Sequence, residues 1–194
     1  MPVTKQAAAS ALAFLFFTLP ATAEPYFVLG GDASVIDLKN PPPALYPQSA
    51  GGLGFDLGER FGMVAGEIGY GENNTGGSAN VDAMHFDQMR ADGILYIPIL
   101  GTLNLLLTGG GAETNYGISA FARNPYTDNG KVKTANGDTT VIHGNEFDWR
   151  AGTGFSIAFS DDFELRAVAR YQPLSMNNSA DSMISFSFGI TAHL

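Results

Sequence analysis

FDWRAGTGFSIAFSDDFELRAVARY, residues 147–171, alternates between two kinds of side chain along its whole length. Phe147, Trp149, Ala151, Thr153, Phe155, Ile157 and Phe159 interleave with Asp148, Arg150, Gly152, Gly154, Ser156 and Ala158. After Ser160-Asp161-Asp162 the alternation resumes, with Phe163, Leu165, Ala167, Ala169 and Tyr171 set against Glu164, Arg166, Val168 and Arg170. Successive strand side chains point to opposite faces, so the stretch reads as two strands and a turn, each strand with an oily face and a face of charge and glycine. Strands of about ten residues, apolar outward and polar inward, with aromatics near both ends, build the wall of a transmembrane β-barrel.

The same pattern extends outward into eight strand-like segments. They start near Tyr26, Ala50, Met63, Met84, Leu103, Phe147, Phe163 and Ile184. Pro41-Pro42-Pro43 excludes the first connection from the middle of a sheet. Short turns are expected at 58–62, 98–102 and 160–162, and long loops at 72–83, 115–145 and 174–181. A further hairpin is expected inside the third loop, where Asn136-Gly137-Asp138 lies between Val132-Lys133-Thr134 and Thr139-Thr140-Val141. Short turns on one side and long loops on the other are the asymmetry of outer-membrane barrels, and an even strand count puts both termini on the turn side. Gly93 to Leu107 is nearly all apolar, but Pro98 and Gly101 interrupt its fifteen residues, so it reads as two strands and not as a membrane helix.

Residue size decides which face meets lipid. The polar faces carry Gly52, Gly54, Gly69, Gly152, Gly154, Ser156, Ser185 and Ser187, which suit the narrow bore of an eight-stranded barrel. The opposite faces carry Leu, Ile and Phe. Reversing the strand at 163–171 would expose Glu164, Arg166 and Arg170 to hydrocarbon, at roughly 2–4 kcal/mol for an Arg at the midplane. A closed barrel also leaves no backbone amide unpaired in lipid. A soluble lipocalin-like barrel has the opposite sense, apolar inward.

Composition agrees. Charged residues are 15% of the chain, against about 25% in ordinary soluble domains. Residues 1–23 read as a cleaved signal peptide: Lys5 provides charge, Ala7 to Leu19 the apolar run, and Ala21-Thr22-Ala23 the small-residue cleavage site. Residues 24–194 then form one outer-membrane β-barrel domain. Beyond residue 23 there are nineteen acidic and nine basic residues, a net charge of −10, so nucleic acid is not an expected partner. There is no cysteine, hence no disulfide and no thiolate metal site.

In its alternation, its loop asymmetry and its leader, the chain resembles the small OmpA-type, porin-like outer-membrane β-barrel proteins over residues 25–194. The terminal Ile184-Ser185-Phe186-Ser187-Phe188-Gly189-Ile190 stretch carries much of that resemblance. It implies that Phe186, Phe188, Gly189, Ile190 and Leu194 form the signal read by the barrel-assembly machinery, although this chain ends in His193-Leu194 where the family usually has Phe. It further implies periplasmic chaperones during biogenesis, outer-membrane lipids and lipopolysaccharide as surroundings, a monomer, periplasmic termini and extracellular long loops.

The inward face should hold Asp32, Asp56, Glu67, Arg90, Asp92, Arg150, Glu164, Arg166 and Arg170. Charges in so narrow a lumen must pair or stay hydrated. Glu67 is expected opposite Arg90 on the neighbouring strand. The cluster reads as a structural plug of salt bridges, or alternatively as a gate. His85, His143 and His193 lack metal-ligand spacing, and Asp128-Asn129-Gly130 lacks the full calcium-loop pattern, so neither metal nor cofactor is expected. Lipid A hydrolases and acyltransferases of barrel type pair a rim His with Ser or an acid; His143 and Glu146 lack the nucleophile motif. The expectation is an all-β, eight-stranded antiparallel up-and-down transmembrane barrel, not an enzyme, with a structural or surface-interaction role. Its third loop, with Phe121, Tyr126, Lys131 and Lys133, is the candidate contact surface. A narrow ion-conducting pore is the alternative, followed by a lipid A-modifying barrel or a soluble lipocalin-like one.

Overall fold

In a computed structural model the two-residue periodicity becomes a closed wall. The structure describes residues 23–38, 49–74, 83–120, 126–128, 131–133, 139–174 and 180–194. The expected export signal lies outside these residues, apart from Ala23.

The strands, in chain order, are β1 (Glu24–Leu38), β2 (Ser49–Phe61), β3 (Val64–Asn74), β4 (Ala83–Leu100), β5 (Leu103–Ala120), β6 (Tyr126–Asp128), β7 (Lys131–Lys133), β8 (Thr139–Ala158), β9 (Phe163–Pro173) and β10 (Ala180–His193). Eight of them close the barrel in the order β1-β2-β3-β4-β5-β8-β9-β10, and β10 pairs antiparallel with β1 to seal it. The tiny sheet β6-β7 stands apart. Both described chain ends, and the connections at Gly62-Met63, Gly101-Thr102 and 159–162, share one end of the barrel, the turn end. The opposite end is the loop end.

The apolar faces point outward as expected. Leu53, Phe55 and Leu57 on β2, Phe155 and Ile157 on β8, and Phe186, Phe188 and Ile190 on β10 are exposed, while Asp56, Arg150, Arg166 and Arg170 are buried inside. The 93–107 stretch forms the end of β4, a turn and the start of β5; no helix among the described residues is long and apolar enough to cross a membrane.

The oily belt has a membrane's height. Trp149 and Phe159 lie ten residues apart on the β8 side; at about 3.3 Å per residue and a tilt of about 40° this spans about 25 Å. Trp149 packs against Tyr171 at one edge, with ring centroids 5.9 Å apart, and Phe159 stacks on Phe163 at the other, 6.1 Å apart.

Several boundaries differ from the sequence expectation. Residues 58–61 continue β2, and 98–100 continue β4, so the turns shrink to Gly62-Met63 and Gly101-Thr102. Gly62 and Gly101 adopt φ of 63° and 55°, which a side chain would oppose. Pro98 is tolerated because the register shifts between it and Leu100. The third connection is far shorter than expected: β5 runs to Ala120 and β8 begins at Thr139. The hairpin within it pairs Tyr126 with Lys133 and Asp128 with Lys131, so Thr139 and Thr140 belong to the barrel wall instead. Asn136-Gly137-Asp138 lies outside the described residues.

Inward glycines leave the space that ionic side chains occupy. A Cβ on Gly54 would lie 2.6 Å from Asp32 Oδ2 and 2.8 Å from Arg90 Nη2, whereas one on outward-facing Gly31 would meet only Gly52 O at 3.7 Å. Gly54→Val should therefore cost about 1–3 kcal/mol by overpacking, and Gly31→Ala should be near neutral. Urea titration of the refolded barrel in detergent micelles measures both.

Candidate functional site, a lumen crossed by ion pairs

Each candidate residue projects inward from a strand position fixed by the alternation. Arg90, on β4, reaches across to two other strands: its Nε donates to Asp56 Oδ1 at 2.6 Å, its Nη2 to Asp56 Oδ2 at 3.0 Å, and its Nη1 to Asp32 Oδ2 at 2.9 Å. Arg166, on β9, donates through both terminal nitrogens to Glu67 on β3 and lies 3.6 Å from Asp56. Arg150 binds Asp92 with two bonds, and Arg170 Nε sits 3.3 Å from the same carboxylate. Arg170 Nη1 also donates to Ser187 at 2.6 Å.

Every cation here is an arginine. A planar fork can bridge carboxylates on different strands, which the point charge of a lysine cannot do equally well. Arg60 pairs with Glu164 at 4.0 Å at the turn end. The buried acids Asp32, Asp56, Glu67, Asp92 and Glu164 are thus matched by Arg60, Arg90, Arg150, Arg166 and Arg170. That balance is what allows charge to be enclosed within a low-dielectric wall.

The expected Glu67–Arg90 pair does not form. Glu67 stands opposite Asp92, and Arg90 stands opposite Gly69, two residues away along β4. A slip of two residues preserves every inward and outward assignment, so alternation alone cannot detect it. Glu67 is instead satisfied by Arg166 and by the Tyr26 hydroxyl, which donates to Oε1 at 2.8 Å. Asp32, Asp56, Glu67, Arg90 and Arg166 form one group, and Asp92, Arg150 and Arg170 a second; Glu164 lies with Arg60 beyond the first.

The lumen is less uniformly polar than the sequence suggests. At the turn end Tyr26, Val28, Ala65, Ile94, Tyr96, Leu106 and Val168 form a buried apolar cluster. The Tyr96 hydroxyl donates to Glu164 at 3.4 Å, and the Arg60 guanidinium lies 4.1 Å from the centre of the Tyr96 ring. Arg60 was hidden within an expected turn. Its signal was parity: it is an even step along β2 from Asp56 and Gly58, and so faces inward. On the loop side of the ion pairs, Gln88 donates to Thr114 and Gln172 at 3.0 and 3.1 Å, and Gln172 donates to Thr114 at 3.1 Å. Charge, amide and apolar layers together fill the bore. Only a water-sized space of about 10 Å³ remains beside Gly30, Gly54 and Gly189, next to Asp32 and Arg166.

The expected assembly signal lies along β10. Phe186, Phe188, Ile190 and Leu194 are exposed on the outer face, while a Cβ on Gly189 would lie 2.8 Å from Val28 Cγ1 inside. Leu194 N donates to Pro25 O at 2.9 Å, fastening the chain end to β1. His143 and Glu146 lie on β8; the side chain of His143 is outside the described residues.

No protein-family model matches the chain, and no curated protein matches its sequence. Solved structures do match. Neisserial surface protein A is 13% identical with a TM-score of 0.61, over 87% of this chain and 97% of that one. Ail, the attachment invasion locus protein of Yersinia pestis, is 12% identical with a TM-score of 0.58, over 89% and 99%. The N-terminal β-barrel domain of Pseudomonas aeruginosa OprF is 15% identical with a TM-score of 0.52, over 86% and 96%. The fold of this chain is that of the small eight-stranded outer-membrane β-barrels, the OmpA-type architecture.

Proposed function

We propose that this protein is a monomeric, non-enzymatic outer-membrane barrel that acts through its surface, with periplasmic termini and its loop end outside the cell. One observation carries the reading: three neighbouring strands continue far past the aromatic belt. β4, β5 and β8 have 18, 18 and 20 residues, where a membrane crossing takes about ten. β8 begins ten residues before Trp149, so the wall it shares with β4 and β5 projects by about another 25 Å. That projecting wall, with the β6-β7 segment carrying Lys131 and Lys133 in the connection between β5 and β8, is the contact surface.

Its partners in biogenesis are the barrel-assembly machinery, reading the β10 end, and periplasmic chaperones; its surroundings are outer-membrane lipids and lipopolysaccharide. One of the Ail structures holds the heparin analogue sucrose octasulfate. An anionic ligand of that kind suits this chain poorly, given its net charge of −10 beyond residue 23.

An epitope inserted within residues 134–138 should be labelled by antibody on intact cells, and one inserted at 160–162 only after the outer membrane is opened. The reverse pattern would overturn the orientation. The pore alternative is disfavoured, because ion pairs cross the bore. Planar-bilayer recordings of wild type should show no steady conductance, and Arg166→Ala and Glu164→Ala should match it. Conductance steps in wild type that these variants alter would establish a gated pore. Lipid A mass spectra with and without the gene should be identical if no enzyme is present.

A further inference from the structure

We propose that Glu72, His85 and Asp87 form a binding site for a divalent transition metal of the Zn²⁺ class on the outer wall of the barrel. The residues come from two neighbouring strands. Glu72 on β3 stands opposite Asp87 on β4, and Asn74 stands opposite His85, all on the outward face. They lie just beyond Tyr70 and Met89, where the oily belt ends towards the loop end. One ligand atom from each of Glu72, His85 and Asp87 falls within 4.8 Å of the others.

The orientation of the imidazole provides a second, separate argument. Asn74 Nδ2 donates to Glu72 Oε1 at 3.2 Å, which fixes the amide so that Oδ1 faces His85 Nδ1 at 2.5 Å. Nδ1 is then a donor, which leaves Nε2 as the ring nitrogen open to a metal. That nitrogen, Nε2, lies 3.3 Å from Asp87 Oδ1. That spacing suits a shared cation, either a proton on Nε2 or a metal ion that displaces it. In a tetrahedral site with bonds of about 2.0–2.1 Å to nitrogen and oxygen, the ligand–ligand edge is about 3.3 Å.

A ring nitrogen donating to a neighbouring carbonyl is also the usual support of a metal-bound histidine. Glu72 and His85 have side chains about half exposed, so the Glu72 carboxylate, the third ligand, can swing onto the ion and solvent can fill the fourth position. An imidazole in the set selects zinc-like ions over calcium or magnesium, which prefer all-oxygen shells. The ligand spacing is invisible along the chain, because it is created by strand pairing.

The test uses the full barrel refolded in a non-ionic detergent micelle, without a histidine tag, titrated calorimetrically with ZnCl2 and with CaCl2. The expected result is one Zn²⁺ per barrel, with CaCl2 at least tenfold weaker. His85→Gln and Asp87→Asn should each weaken zinc at least tenfold, and Asn74→Ala should weaken it by a smaller factor. Glu113→Gln should leave it unchanged; that carboxylate, on the same wall, already accepts a bond from Asn145 at 2.7 Å. Unboiled gel mobility shows that each variant is folded. Absence of zinc binding, which would mean that a proton alone bridges His85 and Asp87, overturns the proposal. So does zinc binding that survives His85→Gln, or calcium binding of equal strength.

Discussion

Arg90→Ala should lower the stability of the folded barrel by about 3–5 kcal/mol, the usual cost of removing one partner from a buried ion pair. Arg90 binds Asp56 through two nitrogens and Asp32 through a third, and all three residues are almost wholly buried. Without it, two carboxylates remain in the bore, with only Arg166 near one of them, 3.6 Å from Asp56. Arg90→Lys should recover little of the loss, because one ammonium cannot hold both acids in this geometry. Removing the charges together, as Asp32→Asn, Asp56→Asn and Arg90→Met, should recover much more, since an absent ion pair costs less than half of one. The single tryptophan, Trp149, reports unfolding in a urea titration. A loss below 0.5 kcal/mol for Arg90→Ala would mean that water, not Arg90, satisfies these acids.

The second large effect lies on the outside and depends on depth. Phe188 is 62% exposed and pairs with Ala167, midway between the rim residues Phe163 and Tyr171 of β9. Phe188→Arg should cost about 2–4 kcal/mol in a bilayer, and Phe163→Arg at the rim about 0–1 kcal/mol. Equal costs at the two positions would mean that the outer face meets water.

The parts of the fold that were legible in the chain are those where two solvents meet across a strand. Lipid outside and ions inside impose a strict period of two, so Phe163 to Tyr171 and Leu53 to Leu57 declare their faces directly. Residues 115–120 and 139–145 lie beyond the oily belt, and their sequence lacks a sustained apolar–polar alternation, so they read as loop although they continue β5 and β8. Charge misled in the same way at Glu59 and Arg60, which read as turn residues but belong to β2.

The members of the lumen cluster were legible; their partners were not. Parity places Glu67 and Arg90 inside without saying how far β3 has slid along β4. Contacts across the bore, such as Arg166 with Glu67, depend on barrel closure and tilt, which no local pattern encodes. Val168, Ile94 and Leu106 show a further limit. They are apolar yet inward, because the turn end of the bore is sealed by packing and not by charge.

The most direct measurement exploits the lack of cysteine in the chain. Single cysteines placed in turn at positions 163 to 171 can carry a nitroxide spin label in a lipid bilayer. Collision with oxygen, which concentrates in hydrocarbon, should be high at 165, 167 and 169 and low at 164, 166, 168 and 170, with a period of two. Oxygen maxima at the even positions, or no alternation at all, would contradict a barrel that keeps its arginines within and turns its apolar face to lipid.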